Sequence, residues 1–123
     1  MIHLDTNFLI YALQPGSSQE RRLFEWRSAG EAINLSAIVW TEYLCGPVSA
    51  DDVRRATNLF PNPEPFLPVD SPIAAEWFNQ TGRRRGSIMD CMVAAVSYRA
   101  GARLATENTQ DFRLFVSLGL SLA

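Results

Sequence analysis

Short apolar segments alternating with longer segments of helical spacing constrain this fold most. Ile2 to Thr6 alternates apolar and polar side chains and reads as a strand, followed at once by Phe8 to Leu13, apolar on every face and so buried if helical. Gln19 to Ala29 is a charged helix closed by Gly30, and Ile33 to Ser36 a second strand. Ala37 to Cys45 is helical and ends at Gly46-Pro47. Ser49 with Asp52 forms a capping box for a helix with Val53, Ala56, Leu59 and Phe60 on one side. Pro61 to Pro72 is a proline-rich loop with an extended piece at Phe66 to Val69. Ser71-Pro72 starts a helix with the stripe Ile73, Ala74, Trp77 and Phe78. Gly86-Ser87 opens a helix with the stripe Met89, Met92, Val93 and Val96, and Gly101 ends it. Arg103 to Ala105 is a strand, Thr109 to Phe115 a short helix and Leu118 to Leu122 a last strand. Strands alternating with helices predict a parallel sheet covered on both sides, an α/β fold. Active sites of such sheets lie beyond the carboxyl ends of the strands, where strand order reverses.

At 123 residues the chain is expected to form one domain, residues 1–123. Its 47% hydrophobic and 20% charged residues exclude a disordered chain. No apolar run reaches the roughly 20 residues a membrane span needs, and no secretory signal opens the chain, so a cytoplasmic protein without membrane association is expected. The two cysteines, Cys45 and Cys91, make no disulfide framework, and with one distant histidine, His3, they form no Cys–His catalytic pair. His3 reads as a structural residue, and Trp26, Trp40, Trp77 and Phe78 read as core or dimer-interface residues. A net charge of −2 excludes nucleic-acid binding by bulk positive field alone. It leaves open an enzyme whose acids hold a metal and whose arginines touch phosphate.

The acids are unevenly placed. Asp5 ends the first strand, Asp90 opens a late helix three residues after Ser87, and Asp111 stands three after Asn108. Each alone reads as a helix cap. Together they fall at strand ends or helix starts, on one edge of the expected sheet. Glu42 shares a helix face with Ile38 and Cys45, where an unpaired carboxylate is costly. Carboxylates converging at one edge repel unless a divalent cation neutralises them, and an oxygen-only donor set suits Mg²⁺ or Mn²⁺. Arg83-Arg84-Arg85 lies directly before the Asp90 helix, where it reads as a solvated face or a contact for RNA or for the acids of a partner.

Four segments in this order resemble the PIN-domain ribonucleases, particularly the VapC-type toxins of toxin–antitoxin pairs. They are Ile2-His3-Leu4-Asp5-Thr6-Asn7-Phe8-Leu9-Ile10, Thr41-Glu42, Asp90-Cys91-Met92-Val93-Ala94-Ala95, and Leu104-Ala105-Thr106-Glu107-Asn108-Thr109-Gln110-Asp111-Phe112. The resemblance implies a three-layer α/β/α sandwich and a Mg²⁺-dependent endoribonuclease that hydrolyses RNA. It assigns metal binding to Asp5 and Asp90, with Glu42 as a further acid of the cluster. Thr6 and Asn7 would orient these acids. The fourth acidic position falls on Asp111, with Asn108 as a polar ligand to metal-bound water; Asn108 itself or Glu107 are the alternatives. A homodimer and a cognate antitoxin are implied as well. Two other readings are a phosphatase or phosphotransferase with Asp5 as nucleophile, which would normally carry Asp where Asn7 stands, and a catalytically silent binding module of the same fold.

Overall fold

In a computed structural model describing residues 1–123, β1 (Ile2–Leu4), β2 (Ile33–Asn34), β3 (Arg103–Ala105) and β4 (Ser121–Leu122) form one parallel sheet in the order β2-β1-β3-β4. Ile2 pairs with Ile33 on one side and Arg103 on the other, and Leu104 pairs with Leu122. Parallel neighbours need crossovers, which helices supply. Helices α1 (Thr6–Ala12) and α2 (Ser18–Ser28) join β1 to β2. Helices α3 (Ala37–Cys45), α4 (Ala50–Leu59), α5 (Asp70–Gln80) and α6 (Ile88–Arg99) join β2 to β3. Helix α7 (Thr109–Phe112) and a 3₁₀ run, Arg113–Leu118, lead to β4. This is the three-layer α/β/α sandwich expected.

Caps fix several helix starts. The hydroxyls of Ser17, Ser36 and Ser49 accept from the amides of Glu20, Val39 and Asp52 at 3.0–3.1 Å. A core of 23 residues, including Ile2, Leu4, Phe8, Leu9, Val39, Val93 and Leu104, fills the space between sheet and helices.

Four expectations need correction. Helix α1 is not buried all round: Ile10 and Tyr11 face water, because α1 packs chiefly on α2 and α3. Helix α6 buries Cys91 and every residue from Val93 to Ser97, while Met89 is exposed. With α3, α5 and β3 all against it, no single stripe describes its buried surface. The extended piece of the proline-rich loop lies at Glu64 rather than Phe66 to Val69. Glu64 bridges to the end of β2, its amide donating to Leu35 O at 2.8 Å and its carbonyl accepting from Ala37 N at 2.7 Å. The last strand shrinks to Ser121–Leu122, since the 3₁₀ run continues to Leu118 and takes over part of the helix expected to Phe115. Gly119 ends that run at φ 120°, where a Cβ would stand 2.8 Å from the Tyr98 ring.

Strand order sets where a site can form. From β1 the chain crosses to β2 on one side, then passes back over β1 to β3 on the other. The carboxyl ends of β1 and β3 therefore flank the switch point, and α6, running back toward the start of β3, brings its amino end to the same edge.

Candidate active site

Asp5 is the first residue beyond β1. Its amide donates to Ala105 O at 2.9 Å, extending the β1–β3 register by one residue and bringing Asp5 beside Thr106. The Thr106 hydroxyl donates to Asp5 Oδ2 at 2.8 Å and accepts from the Asn108 amide at 2.9 Å. Asp5 is 7% exposed and Thr106 is buried with it. The role of Thr106 was not read from the sequence; the signal was its place immediately after the strand that pairs with β1.

The other acids come from three helices. Glu42, half-buried on α3, accepts from the Thr6 hydroxyl at 3.3 Å. Asp90 lies in the first turn of α6. Asp111, on α7, accepts from Asn108 Nδ2 at 2.8 Å. Asn7 and Glu107 are exposed. Neither capping box expected here forms. Ser87 Oγ donates to Arg84 O at 2.7 Å instead of accepting from α6, and Asn108 gives α7 no side-chain cap. Asp90 therefore lacks the partner its capping role required. A cleft of about 150 Å³ is lined by Arg84, Gly86, Ser87, Asp90 and Asp111.

Electrostatics tie the acids together. Burial pushes the Asp5 carboxyl above its ordinary range, opposed by the Thr106 hydroxyl and the Thr6 amide. Burial also raises Glu42, and the charge of Asp5 raises it further against the Thr6 hydroxyl. Asp90 is pushed up to about 6, first by desolvation and then by Asp5, Asp111 and Glu42, with Arg84 opposing. The acids drawn from four segments thus share one electrostatic field. No three of them stand in ligating geometry around a common point in this structure. Oxygen-only donors whose own repulsion favours a counter-charge fit a hard divalent ion.

The remaining candidates divide clearly. Arg83, Arg84 and Arg85 are all exposed, in a turn where Gly82 (φ 92°) and Arg83 (φ 55°) are both left-handed. His3 is buried and held to a pKa of about 4 by desolvation; Glu64, Arg99 and the amino terminus are its charged neighbours, not the four acids. That fits a structural histidine. Trp77 stacks on Phe115 and meets Tyr98 edge-on, Trp26 stacks on Phe8 and Trp40 on Tyr43, all within or against the core. Cys91 is buried with its thiol pushed up by desolvation, and Cys45 is exposed.

The family model described as PIN domain matches residues 2–115. Among solved structures, the chain is similar to one in FitAcB from Neisseria gonorrhoeae, with 22% identity, 99% of this chain and 96% of that one covered, and a TM-score of 0.73. It is similar to one in VapBC2 from Rickettsia felis bound to a DNA fragment from their promoter, with 19% identity, 100% and 98% coverage, and a TM-score of 0.78. FitAB bound to an IR36 DNA fragment gives 21% identity, 100% and 94% coverage, and 0.72. At these identities the likeness is one of fold. A search of curated proteins finds no match.

Proposed function

The chain belongs to the PIN-domain family, and from that premise we propose that it is a divalent-metal-dependent endoribonuclease acting as the toxin of a type II toxin–antitoxin pair. The observation that carries the reading is the convergence of four acids at the switch point: Asp5, raised by burial, raises Glu42 in turn, and Asp5, Asp111 and Glu42 together raise Asp90. Such a field favours a cation, and phosphodiester hydrolysis is among the reactions a bound cation assists, by polarising the phosphoryl oxygen and activating water.

In this reading Asp5, Asp90 and Glu42 would hold Mg²⁺, or Mn²⁺ in its place. Thr106 fixes the Asp5 carboxylate and Thr6 that of Glu42. The ion would supply Lewis acidity and positive charge for attack of water on the phosphodiester. Asp111, held by Asn108 and lining the cleft beside Asp90, would be the carboxylate that takes a proton from the attacking water. This arrangement favours Asp111 over Asn108 or exposed Glu107 for the fourth acidic position, with Asn108 as its orienting partner; Asn7 has the least support of the polar residues. The exposed arginines 83–85 would grip the RNA backbone. The resemblance to VapC-type toxins supports a homodimer, a cognate antitoxin and a cytoplasmic setting, and no helix is long and apolar enough to cross a membrane.

The test is RNA cleavage by the purified chain with Mg²⁺, with Mn²⁺ and with excess EDTA. Cleavage is expected with either metal, none in EDTA, and a loss of at least about a hundredfold in Asp5→Asn with the fold retained. Full cleavage in EDTA would sink the metal mechanism. A phospho-enzyme formed from a phosphate ester would turn the reading to a phosphatase with Asp5 as nucleophile. RNA binding without turnover in any metal would leave a silent module.

A further inference from the structure

We propose that Arg84, lining the carboxylate cleft beside Asp90 and Asp111, is a tethered competitor for its cation that a substrate phosphate engages and neutralises, so that RNA and metal reinforce each other's binding. This rests on the active-site reading above and adds a coupling that the reading does not contain.

The three consecutive arginines are not equivalent. Arg84 lines the cleft with Asp90 and Asp111; Arg83 and Arg85 do not. The backbone makes the difference. Helix α5 stops at Gln80, and Gly82 and Arg83 then adopt successive left-handed conformations, which an arginine rarely takes. The Arg83 amide is held by Phe78 O at 3.0 Å. The Arg84 carbonyl accepts twice from buried Ser87, from its amide at 2.9 Å and its hydroxyl at 2.7 Å. Arg84 therefore starts from a fixed backbone rather than a floppy loop.

Its guanidinium is near the acids but not spent on them. Arg84 forms no ion pair within 4.0 Å, unlike Arg54, Arg55, Arg99 and Arg103. Its charge nevertheless offsets part of the repulsion at Asp90. A cation arriving between the carboxylates meets this positive neighbour and is weakened by it. A phosphate beside the cleft offers the guanidinium a bidentate partner that a carboxylate it does not reach cannot match. Engaging Arg84 there removes the competitor. By linkage, the phosphate strengthens metal binding by the same factor as metal strengthens phosphate binding.

The experiment titrates Mn²⁺ into the full chain by calorimetry, with and without an RNA oligonucleotide whose bridging phosphate oxygens are replaced by methylene, which keeps the charge and resists hydrolysis, using Arg84→Gln, Arg84→Lys, Arg83→Gln and Arg85→Gln. Without RNA, Arg84→Gln is expected to bind Mn²⁺ about three- to tenfold tighter than wild type. Arg84→Lys, which keeps the charge, should stay near wild type, and Arg83→Gln and Arg85→Gln within about twofold of it. The oligonucleotide should tighten Mn²⁺ binding in wild type and by a smaller factor in Arg84→Gln. Arg84→Gln binding Mn²⁺ no tighter than wild type, or all three Gln variants gaining equally, would overturn the inference while leaving the active-site reading intact. A wild type that neither binds Mn²⁺ nor cleaves RNA would overturn both.

Discussion

Thr106 shows how much a single hydroxyl can determine here. It donates to Asp5 and receives the Asn108 amide, so it ties the end of β1 to the turn that carries Asn108 and Asp111. Thr106→Val removes the donor that opposes the burial of Asp5, so the Asp5 carboxyl should rise further. RNA cleavage should fall about ten- to a hundredfold, and the acid limb of the kcat/KM profile should move to higher pH. Thr106→Ser should restore both. A Thr106→Val enzyme with wild-type activity and an unmoved acid limb would make the hydroxyl a fold contact only. At this scale the sequence was only partly legible. Asp5, Glu42, Asp90 and Asp111 could be picked out because apolar strands and helix starts frame them. Thr6 could be read as orienting them, but the Thr106 hydroxyl could not, because its partner depends on register and on a segment 101 residues away. Ser87 misled for the opposite reason. Its spacing from Asp90 satisfies a capping box, yet the 3₁₀ turn Arg85–Ser87 gives its hydroxyl the nearer carbonyl of Arg84.

Elements were legible where one face meets one neighbour. The parallel sheet and the cap on α4 followed from alternation and serine spacing. The proline-rich segment did not, because what orders it is distant. Arg99, at the end of α6, donates to Asp70 Oδ1 at 2.6 Å, Glu64 Oε1 at 2.8 Å and Pro65 O at 2.8 Å. Asp70 is fully buried at the start of α5 and also receives the Leu67 amide at 2.8 Å. One guanidinium thus fastens the loop, through Glu64, to the outer side of β2 and to the α5–α6 pair. Arg99→Met should leave Asp70 as a buried carboxylate without its cation and cost about 3–5 kcal/mol. Urea unfolding measures the loss, and limited proteolysis should cut between residues 60 and 69 only in the variant. Adding Asp70→Asn to Arg99→Met should recover part of the stability, since the stranded charge is gone. A double variant less stable than Arg99→Met would show that the charge is not what Arg99 satisfies.

For the whole molecule, buried His3 and half-buried Asp90 pull the pH dependence of folding in opposite directions. Asp90 is raised to about 6, so between its unfolded value near 4 and pH 6 the folded protein holds the proton more tightly than the unfolded chain. Its contribution to stability is therefore present in acid and lost as pH rises through that window. His3 is lowered to about 4, so below pH 6.5 the unfolded chain takes the proton first, and that contribution is lost as pH falls. The two windows overlap, and in the metal-free wild type each masks the other. Asp90→Asn removes one of them. The variant's advantage should be small near pH 4, where Asp90 is neutral in the folded protein and still about half protonated in the unfolded chain. The variant should pull ahead as pH rises and level off above pH 6 with a gain of about 1–2 kcal/mol, discounted because Asp90 is half-exposed. Saturating Mg²⁺ should reverse the order. A bound cation holds the carboxylates ionised, so at a hundredfold excess over Kd the wild type gains about 2.7 kcal/mol, and Asp90→Asn much less. Urea unfolding of both proteins from pH 4 to 7.5, in EDTA and in Mg²⁺, measures all of this. A difference between the two that is flat with pH in EDTA, with equal Mg²⁺ gains, would remove Asp90 from the cluster and return it to the role of an ordinary residue in the first turn of α6.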